Sequence, residues 1–318
     1  MSLTPVGTLL TTLVRPRVQH AFRSRVAGED YRERADEIWN TVGPRWFGPG
    51  DPIWTVHASS SMFVGGIRAL LVQSLHPLAM AGVAGHSGYK GDPWGRLQRT
   101  STYLATTTYG TVEDAERAIA RVRGIHRRVR GTAPDGRVYA ADDPNLLSWV
   151  HAAEAESFLT AYQALAPEPL GPADADTYVA QSGSVAARLG VPDPPTTVAG
   201  LEGVLAAYRP ELEPTPAALE AADFLLHHPP LPLTARGPYA ALAAGALALT
   251  PGWARELLDL PTGAGVDRVG LAAGRLVTSV IRWAMDHPST QGQWEPGADP
   301  ARSPDGPGGH DPATRAPV

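Results

Sequence analysis

The chain has 318 residues, enough for one large core or two smaller ones, and 43% of them are hydrophobic against 19% charged. A net charge of −5 offers no basic excess of the kind that binds nucleic acid or an anionic membrane. Cysteine is absent, which excludes disulfides, thiolate-held zinc or haem, iron–sulfur clusters and a cysteine nucleophile, and makes histidine the natural metal ligand.

The N-terminal stretch MSLTPVGTLLTTLVRPRVQHAF lacks a basic n-region and a clear cleavage site, so it reads as an ordinary helix rather than a signal. No run reaches the ~18 uninterrupted apolar residues a membrane span needs, and the expectation is a cytoplasmic protein without stable membrane insertion. Arg23 to Asn40 reads as an early helix, and Gly43 to Asp51 as a Gly/Pro-rich loop. Asp51-Pro52, Asp92-Pro93 and Asp143-Pro144 each pair an N-cap aspartate with proline at the first helical position, which predicts three helix starts. The segment from Pro52 to Gly85, apolar on most sides, reads as one central buried helix that Pro77 breaks or kinks. Within it, Gly65-Gly66 allows close approach of another helix or of a flat ligand. Asp92 to Tyr109 is the next predicted helix, with Gly110 as its stop. On it Arg96, Arg99 or Thr100, and Tyr103 share a face, either solvated or aimed as donors into a pocket.

Thr111 to Gly131 carries the most informative pattern. Val112, Ala115, Ile119, Val122, His126 and Val129 step by three and four residues, one apolar stripe on an α-helix. Thr111 suits the N-cap with Asp114 three residues on, and Gly131 suits C′. His126 is the polar member of a core-facing stripe, with Arg123 at i−3 and Arg130 at i+4 on the same face. An inward imidazole between two guanidiniums suits a haem, which needs an axial nitrogen and cations for its propionates. A core histidine hydrogen-bonded to a backbone carbonyl fits the same spacing.

Thr132 to Asp142 reads as an extended connection. The helix opened by Asp143-Pro144 carries His151 and Glu154, an HxxE pair that is either half of a carboxylate-bridged metal site or a local His–Glu hydrogen bond. Leu165 to Pro172 is a Pro-rich linker. Thr177 to Leu189, Thr197 to Tyr208, Pro216 to Leu226, Leu231 to Leu249, Ala254 to Leu260 and Val266 to His287 read as helices, with His227-His228 in a turn rather than a ligand pair. No strand-like alternation persists. The expected architecture is all-α, one domain of about ten helices over residues 1–287, followed by a disordered Gly/Pro-rich tail over 288–318.

Residues 50–165 together resemble the haem-dependent oxygenase family of the bacterial latex-clearing protein (rubber oxygenase) and the fungal endoplasmic-reticulum oxygenase of the MpaB type. The stretches that carry the resemblance are LHPLAMAGVAGHSGYKGDPWGRLQRT, GIHRRVRG and YAADDPNLLSWVHAAEAESF. It implies globin-like helix packing around a buried haem b, with His126 as the axial ligand of the iron and Arg123 and Arg130 on the propionates. It also implies that Arg96 and Thr100 lie near the distal face. Two departures stand out. Arg99 occupies the position of a family lysine that can reach the iron, and arginine, always protonated, does not ordinarily ligate. No glutamate lies between Pro52 and Thr100, where the rubber enzyme has a catalytic one. The sixth position is then left to water, O2 or another ligand, with His76 and His86 as candidates.

The expected function is a haem b-dependent oxygenase in which Arg96, Arg99 and Thr100 act at the oxygen-binding face. Its expected partners are O2, a small apolar substrate with an isoprenoid-like or aromatic double bond, and an electron donor. Three alternatives stay open: a haem protein without oxygenase turnover, a non-haem iron enzyme built on His151 and Glu154, and a helical interaction protein without a cofactor. The residues alone do not say which of His57, His76, His86 and His151 face the haem.

Overall fold

A computed structural model describes residues 30–86 and 91–285. The expected N-terminal helix, the first part of the Arg23–Asn40 helix and the tail over 288–318 lie outside the described residues. Among the described residues, thirteen α-helices and one short hairpin form a single all-α domain.

All three Asp-Pro pairs start helices: α2 (Pro52–Ala58), α5 (Pro93–Tyr109) and α7 (Pro144–Leu165). Asp92 and Asp143 accept from the backbone N–H of Gly95 and Asn145, which satisfies donors that a helix start leaves orphaned. Asp51 works differently. Its Oδ1 accepts from Gln181 Nε2 at 2.9 Å, while Gln181 Oε1 accepts from Ile53 N–H at 3.0 Å. The start of α2 is thus capped by a side chain from α8 (Pro172–Leu189).

The apolar stretch from Pro52 to Gly85 is three helices, α2, α3 (Met62–Gln73) and α4 (Pro77–His86): the break expected at Pro77 is there, and a second one precedes it. Serines make the additional break. Ser59 Oγ accepts from both the N–H and the hydroxyl of Ser61, and Ser60 donates to Thr278 O. Such local bonds offer the backbone an alternative to the helix ladder. Ser74 then donates to Leu71 O where α3 ends, just before Pro77. No single helix among the described residues is long and apolar enough to cross a membrane; α3 and α4 together have the length and composition but are bent by 109°.

The remaining helices are α1 (Tyr31–Asn40), α6 (Val112–His126), α9 (Val198–Tyr208), α10 (Pro216–His227), α11 (Leu233–Leu249), α12 (Gly252–Leu257) and α13 (Ala264–Met285). His227 is the last residue of α10 and His228 its C-cap, so the expected turn begins one residue later, and both rings lie against Asp223. The connection after α6 is a two-stranded antiparallel hairpin, β1 (Arg130–Thr132) and β2 (Val138–Ala140), where a plain extended segment was expected.

The core has two large parts that meet at α7. On one side α7 packs with α3, α10, α11 and α13 around Val64, Leu71, Trp149, Leu165, Leu242 and Val277. Backbones come close here: a Cβ on Gly245 would meet Gly274 Cα at 3.0 Å, and one on Gly65 would meet Phe158 Cα at 3.2 Å. Gly65 therefore serves helix packing, the first of its two expected uses. Arg68, 1% exposed, donates to both carboxylate oxygens of Glu156, to Ser157 Oγ and to Leu249 O. On the other side α7 meets α2, α5 and α8 around Trp54, Val56, Tyr109, Phe158 and Tyr178.

Candidate functional site

Helices α5 and α6 pack together and are joined only by Gly110 and Thr111, so the start of α5 and the end of α6 both lie far from the joint. Thr111 caps α6 as expected: its Oγ accepts from Asp114 N–H at 3.2 Å. Gly131 does not serve as C′. The helix stops at His126, Arg127 is its C-cap, and Gly131 lies in β1 under the Tyr139 ring. A Cβ at Gly131 would meet Tyr139 Oη at 2.5 Å, so the glycine serves the hairpin's close contact with that ring.

This early stop separates the expected trio. His126 is the last residue of α6, half-buried, and Arg123 lies one turn before it. Both line a pocket of about 240 Å³ together with Arg127, Asp142, Leu147, Leu189 and Gly190. Arg130, beyond the helix, has no helical i+4 relation to His126. It donates to Asp142 Oδ2 at 2.7 Å and to Arg127 O at 3.1 Å, on the hairpin side. Asp142 links the two places, since it also lines the His126 pocket. His126 Nδ1 is buried and has no hydrogen-bond partner. Burial lowers the pKa of the ring and the Asp142 charge opposes that shift, so the imidazole is neutral at physiological pH.

Two of the helices that line the pocket, α7 and α8, carry further polar groups along their length. On α7, Leu147 is followed one turn later by His151, then by Glu154 and Phe158, all on one face by their i, i+4, i+7 and i+11 spacing. On α8, Leu189 is preceded by Ser182 and Tyr178. His151 Nε2 is buried without a hydrogen-bond partner, like His126 Nδ1; Ser182 Oγ and Tyr178 Oη lie close enough for the serine to oppose the rise of the Tyr178 pKa, but neither makes a well-formed hydrogen bond among the described residues. The only other such side-chain atoms among the described residues are on His76 and Arg255. Buried polar atoms are ordinarily paired, so four atoms without a well-formed bond along α6, α7 and α8 mark a surface built to meet something.

Helix α2 adds His57, whose ring lies 5.7 Å from Phe158 and 6.0 Å from Tyr178 and whose Nδ1 is 2.8 Å from Thr108 Oγ1. Burial lowers His57 and His151 to about 4, so both are neutral, and pushes Glu154 up to about 7. Burial also raises the Tyr103 and Tyr178 hydroxyls, and the Glu154 charge adds to both. Tyr103 of α5 and Tyr178 of α8 thus both lie within electrostatic reach of the Glu154 carboxyl. His57, Tyr103, His151 and Glu154 nevertheless each keep part of their surface accessible. Groups deeply desolvated yet still accessible border interior space, not packed atoms.

Tyr103 lies on the α5 face that also carries Arg96 and Thr100, at i−7 and i−3, so this face fronts the polar wall. Arg96 is half-buried, whereas Thr100 and Arg99 are exposed, and Arg99 pairs with Asp92 at 3.2 Å. Of the four histidines left undecided, His57 and His151 belong to this wall. His76 is packed against Trp149 and Tyr208 with Nε2 3.6 Å from Glu211, and His86 lies on Tyr139. Neither is beside His126. The local hydrogen bond expected between His151 and Glu154 is not made, and the two gain no further ligating side chain: no group of three His, Asp or Glu residues among the described ones is placed to hold a metal. Tyr178, Ser182 and Thr108 were not singled out from the sequence. Tyr178 and Ser182 carry the signal that revealed His126, polar members of an apolar stripe, here with Ala175, Val179 and Ala186.

One family model matches the chain: that of "ER-bound oxygenase mpaB/B'/Rubber oxygenase, catalytic domain", over residues 54–283. No curated protein and no solved structure matches it. The matched stretch runs from α2 into α13 and includes every residue of the wall.

Proposed function

The chain belongs to the mpaB/rubber oxygenase catalytic-domain family, and from that premise we propose that it is a haem b-dependent oxygenase that holds the haem iron through His126. The family supports an oxidoreductase of the oxygenase type. The observation that carries the haem reading is the buried, unpartnered Nδ1 of a neutral His126 in a pocket rimmed by guanidiniums. This donor set fits the group. An imidazole must be neutral to ligate, and arginines make bidentate bonds to carboxylates. Arg123 and Arg127, both on the pocket, would hold the propionates, and Arg130, now paired with Asp142 beside the pocket, would add a third cation. Haem, when bound, supplies the iron that activates O2, with electrons from a donor.

The chain's own residues do the rest. Arg96 and Thr100 approach from the α5 face that fronts the wall, as donors toward developing negative charge. Arg99 contributes positive charge at the mouth without ligating. Leu147, Leu189 and Phe158 receive the apolar part of a small organic substrate and exclude water from it. A non-haem site at His151 and Glu154 has too few donors among the described residues to compete with this reading.

The test is an absorption spectrum of protein expressed with added haem precursor, oxidised and then dithionite-reduced under CO. A Soret band that shifts on CO binding is expected, and His126→Ala should lower the Soret-to-protein ratio at least tenfold at unchanged helix content. A His126→Ala protein with full haem and an unmoved Soret band would sink the assignment. Oxygen consumption that depends on an organic substrate distinguishes an oxygenase from a haem protein without turnover.

A further inference from the structure

Glu154 is the one carboxyl of the wall, and the haem reading leaves it without work. Among the described residues its carboxyl has no hydrogen bond and no ion pair, although Glu156, two residues along the same helix, is fully paired. The Glu154 charge is felt by Tyr103 from α5 and Tyr178 from α8; His57 of α2 lies against Tyr178, and His151 precedes Glu154 by three residues on its own helix. None of these is a cation at neutral pH, and burial is the only influence on the Glu154 carboxyl among the described residues. A leucine there would extend the apolar face that Phe158 continues. A carboxyl kept in such a place needs a partner from outside the chain.

We propose that Glu154 is a specificity-determining residue: its carboxyl, with Tyr178 Oη and His151 Nε2, hydrogen-bonds a hydroxyl group on an otherwise apolar substrate, so that the site takes phenols or alcohols in preference to bare hydrocarbons. The set is matched to a hydroxyl. A hydroxyl both donates and accepts, and the wall offers a carboxyl and a phenol that do both, beside a neutral imidazole. The preference does not depend on whether water fills the space beforehand. A hydrocarbon that displaces water from these atoms leaves them unpaired, whereas a hydroxyl restores the bonds. Sites built around a buried polar contact discriminate strongly against analogues that lack it. The proposal rests on the oxygenase reading, because it takes the interior space for the substrate's.

The experiment is calorimetric titration of the haem-loaded protein with p-cresol and with p-xylene, which differ only by hydroxyl for methyl, its absorption spectrum being recorded first. Wild type should bind p-cresol at least tenfold more tightly. Glu154→Leu should bring the ratio below about threefold, while Glu154→Gln, which still donates and accepts, keeps most of it. Tyr178→Phe should reduce it at least threefold and serves as the second variant if Glu154→Leu does not fold. Equal wild-type affinities, or a full cresol preference in a folded Glu154→Leu protein, would overturn the proposal while leaving a CO-sensitive Soret band, and with it the oxygenase reading, intact. A wild-type protein without a Soret band would remove the oxygenase reading, and this proposal with it.

Discussion

Two carboxylates on α7, Glu154 and Glu156, divide the molecule. Glu156 points into the side built with α3, α11 and α13, where Arg68 and Thr160 take up its oxygens and backbones touch at Gly245 and Gly274. Glu154 lies on the side shared with α2, α5 and α8, where its charge acts on Tyr103 and Tyr178 and burial keeps His57 and His151 neutral. One helix thus closes its polar groups on one face and leaves them open on the other. Polar groups closed on one another stabilise a fold, and groups left open cost stability and are kept for what they bind.

The largest way to break this contrast is Arg68→Ala. It strands Glu156 in the closed half, and removal of one partner of a buried pair costs roughly 3–5 kcal/mol; urea unfolding should show it, with little change in the haem spectrum. Acid tests the open half. His57 and His151 have pKa values lowered from 6.5 to about 4. Their neutral forms contribute stability that is present above pH 6.5 and lost as pH falls toward 4, by roughly 3 kcal/mol each. His151→Gln should flatten the acid limb of a stability-versus-pH curve by about that amount.

Glu154 gives the opposite slope. Its pKa is raised from 4.5 to about 7, so the stability of its protonated form is present below pH 4.5 and lost as pH rises through 7. Glu154→Gln should match wild type at pH 4 and exceed it by up to roughly 3 kcal/mol at pH 8. A variant less stable than wild type at pH 8 would mean that the carboxylate has a partner in the folded chain. The smallest effect belongs to packing in the closed half. Gly270→Ala puts a methyl against Ala244 O and the Ala248 side chain, and should cost ~1–3 kcal/mol in thermal unfolding without altering ligand preference.

The sequence showed the helical class, the three Asp-Pro starts, the Thr111 cap and the His126 stripe, because each rests on neighbours within a few residues. It missed what distant residues decide. Nothing near Arg130 indicates that α6 ends four residues earlier; the reason is Tyr139, which pairs with Gly131 across the hairpin. The Ser59–Ser61 break lies in a stretch whose apolar composition masks it. The HxxE pair was legible as a pair, but its lack of an internal bond depends on α2, α5 and α8. The likeness noticed over residues 50–165 was also shorter than the family match, which reaches residue 283 through helices whose sequence reads only as apolar.

The Gln181 clamp on the start of α2 bears on how the protein is made. Residues 51 and 53 wait for a side chain about 130 positions later in the chain, and Ser60 waits for Thr278, 218 positions on. A ribosome must therefore deliver most of the polypeptide before α2 has its fixed place. Closure of such long loops is slow, and until it occurs the apolar faces of α2 and α3 stay open to chaperones and to aggregation. The last wall of the site to set in synthesis is the one encoded nearest its beginning.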